Sequence, residues 1–140
     1  MAKFEEIIKR QKKAGFRSTK KRRALIKVLV AATAPLTENE LRGKLKLLKL
    51  SPNKTTVYRQ MKKLLRLNII QEVDFGDRKK RYELATNHHH HLVCNNCHKI
   101  QDVKFENELK QQEKLIERNK KFHVTTHTLE FFGLCAKCKN

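Results

Sequence analysis

Four cysteines form two closely spaced pairs late in the chain, Cys94 with Cys97 and Cys135 with Cys138. The C-x-x-C spacing lets one turn present two thiolates to the same ion, and four thiolates suit a closed tetrahedral Zn²⁺ site. Structural disulfides are disfavoured in a reducing compartment, and a thioredoxin-like pair would have to open a helix within a βαβ unit, which this region does not predict. We therefore predict a structural zinc site that ties the end of the chain to the strand before the first pair.

Four consecutive histidines, His88, His89, His90 and His91, precede the first cysteine pair. In an extended chain successive side chains point to opposite faces, so His89 and His91 would serve one site and His88 and His90 another. A histidine run can also be a solvated tract or an expression artefact. Its position inside an apparent domain, close to a cysteine pair, argues against a tag.

Carboxylates and one further histidine lie where they can complete these two sites. Glu83, near the end of the preceding strand, is the expected partner of His89 and His91. His127 and a carboxylate from the helix starting near residue 106, for which we choose Glu108, are the expected partners of the other pair. These ligand types suit Zn²⁺, Fe²⁺, Mn²⁺ or Ni²⁺ and do not choose among them.

Apolar residues recur at helical spacing through the first half of the chain, which predicts four helices. The first covers residues 4–14, and the second begins at Thr19 as N-cap. Thr37 and Glu40 form the pattern of a capping box for the third helix. The buried face of this third helix would consist of Leu41, Leu45 and Leu48.

The fourth helix would be capped by Ser51 or Asn53, with Pro52 in its first turn. One of its faces is apolar, and the other carries Thr56, Arg59, Lys62 and Lys63. Residues 69–75 and 81–84 then flank a Gly-Asp-Arg turn and predict a β-hairpin whose tip is basic, with Arg78, Lys79, Lys80 and Arg81. Helices followed by such a hairpin indicate a winged helix-turn-helix, in which the last helix enters the major groove.

The charge of the chain is strongly positive and unevenly distributed, with 33 Lys and Arg against 14 Asp and Glu, a net charge of +19. Residues 1–84 carry 24 basic and 8 acidic side chains, whereas residues 85–140 carry 9 and 6. A field of this size predicts a polyanionic partner, double-stranded DNA, for the first part. The alternative is that the basic face of the fourth helix is simply exposed to water and binds no partner.

Two modules are therefore expected, a DNA-binding domain at residues 1–84 and a metal-binding domain at residues 85–140. In the second, residues 100–105 predict a strand, residues 106–121 a helix and residues 124–132 a strand, so the whole chain is of the α+β class. A chain of 140 residues is too short for a large α/β enzyme. Without a long apolar stretch or an export signal, we expect a cytoplasmic protein with no membrane partner.

Three motifs together resemble the ferric-uptake-regulator family of metal-responsive transcription factors: Thr-Val-Tyr-Arg at residues 56–59, the His-His-His-His-Leu-Val-Cys-Asn-Asn-Cys segment at residues 88–97, and residues 127–138, which begin His-Thr-Leu-Glu and end Cys-Ala-Lys-Cys. They occur in that family in the same order. The resemblance implies a homodimeric repressor with a winged-helix domain and a C-terminal dimerisation domain. Such a protein binds AT-rich inverted repeats when its regulatory metal, most often Fe²⁺ or Zn²⁺, is present.

Positions matching the family's DNA contacts are Tyr58 for a base, Arg59 for a phosphate and Arg17 for the minor groove. The four cysteines match the structural zinc ligands. By the same resemblance, Glu83, His89 and His91 match ligands of a site between the domains. His88, His90 and His127 match a site inside the dimerisation domain.

Three features depart from the family pattern. Residues 34–37, Ala-Pro-Leu-Thr, lack the histidine that the site between the domains usually takes from this loop. The carboxylate of the dimerisation domain falls on Leu109 by ungapped count, so choosing Glu108 requires a shift of one residue. His90 also stands where many relatives have Asp.

The alternative function is a non-regulatory nucleic-acid-binding protein whose zinc is purely structural, so that the histidine run does nothing. An enzyme, either a metallohydrolase or a thiol oxidoreductase, is not expected, because the cysteines close one site and no positioned nucleophile or general base is evident. No small organic substrate is therefore predicted.

Overall fold

The computed structural model describes residues 2–85, 88–105 and 109–139. Helices and short sheets alternate along these residues, in agreement with the predicted α+β class. The chain divides into two compact units, residues 1–86 and 87–140. In the described part of the chain, no helix is both long and apolar enough to cross a lipid bilayer.

The first unit is mainly helical and ends in a hairpin. Its elements are α1 (Ala2–Lys13), α2 (Lys20–Ala31), β1 (Leu36–Thr37), α3 (Glu38–Leu47), α4 (Lys54–Arg66), β2 (Ile70–Asp74) and β3 (Lys80–Leu84). The three strands form an antiparallel sheet in the order β1-β3-β2. The apolar faces of the four helices and of this sheet together enclose the core of the unit, with α1 packed against α2.

Side-chain caps start three of these helices, as the sequence predicts. Thr19 accepts the backbone N–H of Arg22 at 3.3 Å, and Thr37 with Glu40 forms the complete capping box of α3. Asn53, not Ser51, caps α4 and accepts the N–H of Thr56 at 2.8 Å. These bonds satisfy donors that the first helical turn leaves unpaired.

Two local expectations in this unit are wrong. Pro52 was expected in the first turn of α4, but that helix begins at Lys54, so Pro52 precedes the Asn53 cap. Leu48 was expected on the buried face of α3, yet α3 ends at Leu47 and Leu48 is 51% exposed. Lys49 follows with a φ of 57°, a left-handed conformation that is typical of helix ends. Leu48 therefore does not take the buried position that a longer helix would give it.

The second unit contains a three-stranded sheet and one helix. Its elements are β4 (His90–Cys94), β5 (Ile100–Val103), α5 (Lys110–Lys120) and β6 (Glu130–Gly133). Strand β4 lies in the middle, antiparallel to β5 and parallel to β6. The central strand therefore carries the last two histidines of the run, His90 and His91, and the first cysteine of the chain.

The strand predicted over residues 124–132 is much shorter in the structure. Pairing between β4 and β6 begins with His91 opposite Glu130. Because β4 itself begins at His90, which lies beside Leu129, residues before Leu129 have no residue of β4 beside them to continue the ladder. His127, predicted to lie in this strand, therefore belongs to the irregular segment that precedes it.

Candidate metal centres and nucleic-acid surface

The four cysteines converge in the second unit, with their sulfur atoms all within 4.8 Å of one another. The Sγ atoms of Cys97 and Cys135 are 3.7 Å apart, far beyond the roughly 2.05 Å of a disulfide. Four sulfurs bound tetrahedrally at about 2.3 Å from Zn²⁺ would be separated by about 3.8 Å. The cluster therefore fits a zinc ion with little rearrangement.

The sheet brings the two cysteine pairs together. Cys94 is the last residue of β4, and its strand partner Gly133 ends β6, two residues before Cys135. Because β4 and β6 are parallel, both pairs follow the same end of the sheet. The backbone N–H of Cys135 donates to the Sγ of Cys94 at 3.4 Å, the kind of outer contact that holds a ligating sulfur in place.

Hydrogen bonds divide the thiols of this cluster into acidic and basic members. Backbone N–H groups of Cys135 and Cys97 lower the pKa of Cys94 to about 6. A hydrogen bond with Asn96 lowers the pKa of Cys138, but those with Cys135 and Cys97 outweigh it and raise that pKa to about 12. These hydrogen bonds thus favour the thiolate form of Cys94 and the protonated form of Cys138. A bound cation would displace the proton of Cys138.

A second cluster is formed by His88, His90 and His127, whose ligating nitrogens lie within 4.8 Å of one another. The Nε2 atoms of His88 and His127 are 2.9 Å apart. That distance suits a hydrogen bond between neutral rings, or two nitrogens on one ion when the metal–nitrogen bonds are about 2.1 Å. His90 is 1% exposed and its ring lies 5.5 Å from that of Phe105, so one side of the cluster is dry.

Glu113, which sequence reasoning did not single out, places a carboxylate beside this cluster. Its Oε1 lies 2.7 Å from Nδ1 of His127, leaving Nε2 of that ring turned toward His88. The predicted carboxylate, Glu108, lies outside the described residues, so its role stays a prediction. Helix α5, which carries Glu113, begins at Lys110, four residues later than the helix predicted from residue 106.

The other two histidines, His89 and His91, form a third cluster with Asp102. Their rings are 4.9 Å apart, and Nε2 of His91 lies 3.9 Å from Oδ1 of Asp102. His91 and Asp102 are direct partners across the β4–β5 ladder. The sequence held a signal for Asp102, because aspartate is disfavoured in strands and here interrupts a predicted one. Because side chains alternate along an extended chain, His88 and His90 join one cluster and His89 and His91 join another.

Glu83, the expected partner of His89 and His91, belongs to the first unit. It is half-buried on β3, and its Oε1 accepts from Nε2 of Gln71 at 2.7 Å across the β2–β3 pair. Its role as a ligand beside the histidines of the second unit stays a prediction.

The expected DNA contacts are arranged on and beside α4. Tyr58 is 48% exposed on this helix, and Nζ of Lys62 lies 5.4 Å from the centre of its ring. Arg59 is exposed next to it, whereas Thr56 is half-buried in the first turn. Arg17 is exposed in the segment between α1 and α2. An exposed aromatic ring beside exposed cations can stack or hydrogen-bond with a nucleic acid while the cations contact phosphates.

The hairpin tip is less basic than its sequence suggests. Arg81 is buried, and its guanidinium donates to both carboxylate oxygens of Asp77, at 2.8 and 2.6 Å. That bond to Arg81 holds the pKa of the Asp77 carboxyl well below its usual range. Lys80 pairs with Glu72 at 2.7 Å. The phosphate contacts expected from four residues are therefore left mainly to Arg78 and Lys79, which are exposed.

Comparison with known proteins identifies the family of this chain. The model of the ferric uptake regulator family matches residues 13–132. The peroxide-responsive repressor PerR of Staphylococcus epidermidis is 30% identical over 97% of this chain and 90% of its own. The solved Helicobacter pylori ferric uptake regulator Fur, described with three functional metal-binding sites, has a TM-score of 0.83 at 24% identity, covering 98% of this chain and 94% of its own.

A solved Vibrio cholerae ferric uptake regulator has a TM-score of 0.76 at 29% identity, covering 89% of this chain and 96% of its own. These structures show that the likeness of fold extends through both units of the chain. Since the family model spans most of the sequence and PerR is similar along nearly all of it, the chain belongs to the ferric uptake regulator family.

Proposed function

We propose that this protein is a metal-dependent transcriptional repressor that binds AT-rich palindromic DNA as a homodimer in the cytoplasm. The observation that carries the proposal is the presence of two histidine clusters, His89 and His91 with Asp102 in one and His88, His90 and His127 in the other, both separate from the cysteine cluster. A protein with only structural zinc has no use for a second set of convergent imidazoles. The alternative of a non-regulatory nucleic-acid binder therefore has less support than a regulator.

Two metal roles follow from the ligand chemistry. The four thiolates hold a structural Zn²⁺, because a closed sulfur site leaves no position for a substrate. The imidazole and carboxylate clusters hold a divalent ion whose concentration sets DNA binding, with Fe²⁺ or Zn²⁺ proposed first and Mn²⁺ or Ni²⁺ as alternatives. This ion supplies a charge that fixes its ligands in one arrangement.

The regulatory site is proposed to consist of His89, His91 and Glu83, with Asp102 added from the structure. Asp102 provides a carboxylate where residues 34–37 provide no histidine. The cluster of His88, His90 and His127 is proposed to support the dimerisation domain, with Glu113 orienting His127.

The first unit is proposed to act as a winged helix. Helix α4 would enter the major groove and present Tyr58 to base edges, with Arg59 on a phosphate and Arg17 toward the minor groove. Thr56, in the first turn of α4, lies near the same groove. Affinity should fall steeply as salt rises, because 24 of the basic residues lie within residues 1–84.

The homodimer is supported by apolar surface on the second unit. None of the eleven residues of α5, all of which the structure describes, is buried. Large apolar side chains on this unit are exposed by 39 to 62%: Leu92, Phe105, Leu115, Ile116, Phe122, Phe131, Phe132 and Leu134. A monomeric protein rarely leaves so much clustered apolar surface in water. A second copy of the chain would cover it.

The test measures DNA affinity with and without the second metal while zinc stays bound. A palindromic duplex is first selected from a random library by the zinc-loaded protein supplied with Fe²⁺, Mn²⁺ or additional Zn²⁺. His91→Ala should then lose the metal response, whereas His98→Ala, at an exposed histidine outside the clusters, should keep it. Indifference of the parent protein to all three metals would favour the non-regulatory alternative.

The same assay locates the switch. Glu83→Ala should lose the metal response, while His127→Ala should keep it if its dimer is intact. The opposite pattern would move the switch into the dimerisation domain.

A further inference from the structure

A charged side chain is buried where α2 meets α4. Arg22, the third residue of α2, is only 6% exposed. Burial lowers the pKa of its guanidinium, although an arginine stays protonated in proteins. A buried charge is costly unless its donors are satisfied. Its partners therefore indicate what it is kept for.

The donors of Arg22 connect two elements that are distant in sequence. Its Nε donates to Oε1 of Gln60 on α4 at 2.8 Å, and its Nη1 donates to the carbonyl oxygen of Arg17. One face of α4 and the segment between α1 and α2 are thus held by the two sides of one planar group. A lysine cannot make this pair of bonds, because its ammonium has no rigid fork.

An aromatic contact reinforces the same connection. The ring of Phe16 lies 5.5 Å from the guanidinium carbon of Arg22 and 5.5 Å from Nζ of Lys63 on α4. Both cations are within the range of a favourable interaction with the ring face. Residues 16 and 17 are therefore held against α4 through the ring of Phe16 and, by way of Arg22, through the carbonyl of Arg17.

We propose that Arg22 is a positioning residue for DNA recognition. It holds Arg17 at a set distance from Tyr58 and Arg59, so that the segment between α1 and α2 and helix α4 reach adjacent grooves together. Arg22 itself does not contact DNA. The inference rests on the proposed function, because it assigns Arg17 and α4 to one bound duplex. It predicts that the contribution of Arg17 to affinity depends on Arg22.

Arg23 provides a matched control on the same helix. Its guanidinium lies over Phe4 at 5.1 Å and 4.0 Å from Glu5, both in α1. Arg23→Lys keeps the charge and changes the same chemical group as Arg22→Lys. Only the latter removes the bonds to Gln60 and to the carbonyl of Arg17.

The first measurement is hydrogen exchange of the full-length, zinc-loaded protein without DNA. In Arg22→Lys the backbone amide of Phe16, which donates to the carbonyl of Gln11 at 3.0 Å, should exchange about tenfold faster than in the parent, the factor expected for one lost bond to a charged group. Arg23→Lys should leave this amide unchanged. Equal exchange in the parent and Arg22→Lys would overturn the inference, and this result needs no DNA.

The second measurement is a double-mutant cycle on the selected duplex. Arg17→Ala should weaken binding of the parent by about tenfold, the lower range for one specific DNA contact. In the Arg22→Lys background the same change should cost less than threefold, because Arg17 is already displaced. An equal factor in both backgrounds would show that Arg22 only stabilises the fold.

Gln60 keeps the test decisive if Arg22→Lys fails to fold. Gln60→Met removes the acceptor of the Arg22 bond and should reproduce the faster exchange. Gln60→Glu keeps an acceptor and should exchange at the parental rate. If no duplex binds specifically, the proposed function fails, while the exchange experiment still decides whether Arg22 holds this segment. If binding is specific but the cycle is additive, only the present inference fails.

Discussion

The two units of this chain are held together by different forces. The first encloses eighteen buried apolar residues contributed by four helices and the hairpin. Among the described residues of the second, only His90, His91 and Cys94 are buried, and all three belong to proposed metal sites. Burial of apolar surface therefore stabilises the first unit. The second unit depends instead on metal ligands and on a partner that covers its apolar surface. A regulator gains from this contrast, since the part that must respond to metal is the part without a core of its own.

Removing one zinc ligand should have the largest effect and should be confined to the second unit. Cys97→Ser should lose the structural zinc, and with it a binding free energy on the order of 10 kcal/mol that otherwise supports folding. Zinc stoichiometry, dimer elution and hydrogen exchange would measure this, with Asn95→Ser in the same turn as control. Retention of one zinc per chain with an unchanged dimer would contradict the zinc assignment.

A cavity in the first unit should have the opposite distribution. Met61 is 1% exposed on α4, so Met61→Ala should lower the free energy of unfolding by about 2–5 kcal/mol. Leu47→Ala, at a leucine that is 84% exposed, should change it by less than about 0.5 kcal/mol. Urea denaturation gives both values, and zinc content should stay at the parental level. A loss of zinc in Met61→Ala would show that the two units do not fold independently.

An outer carboxylate should produce a smaller effect on metal affinity. Glu113→Gln removes the charge that orients His127, and such changes typically weaken a site by about 10–100-fold. Competition with a chromophoric chelator would measure affinity for a second equivalent of Zn²⁺. Glu117→Gln is the matched control, because Glu117 lies on the same helix and contacts the exposed His123 at 3.1 Å. Equal affinities in the two variants would remove Glu113 from the site.

The smallest effect is expected at the hairpin and depends on pH. The pKa of Asp77 is depressed in the folded state by its bond to Arg81, so this pair stabilises the fold above the unfolded pKa of about 3.9. The stabilisation is lost as pH falls through the lower, folded value. Asp77→Asn should therefore lower the urea midpoint at pH 7 and make little difference in strong acid. A difference that does not shrink on acidification would assign the effect to something other than this ion pair.

Features that depend on neighbouring residues could be predicted from the sequence, and features that depend on distant pairing could not. Thr19, Thr37 and Asn53 cap helices by bonds to residues three positions away, so their patterns are visible locally. The short β6 could not be predicted, because the start of β4 sets its length.

The same distinction applies to the candidate sites. The cysteine pairs and the alternating histidines follow from spacing along the chain. Glu113 reaches His127 only through the packing of α5, and Arg81 turns inward because Asp77 and Phe75 receive it. A basic residue on a hairpin is expected to be exposed to water. The burial of Arg81 becomes visible only when its partners are known.

The parallel pairing of β4 with β6 also sets an order of events during synthesis. The ribosome delivers β4 and β5 first, and a two-stranded ribbon alone is marginal in water. Strand β6 and the second cysteine pair emerge only after α5, so the zinc ligands of the two pairs meet late. The helices and hairpin of the first unit have by then already left the ribosome. On the proposed function, the DNA-reading unit of a nascent chain is complete before the metal clusters that control it, and zinc capture by the two cysteine pairs would be the last step of its folding.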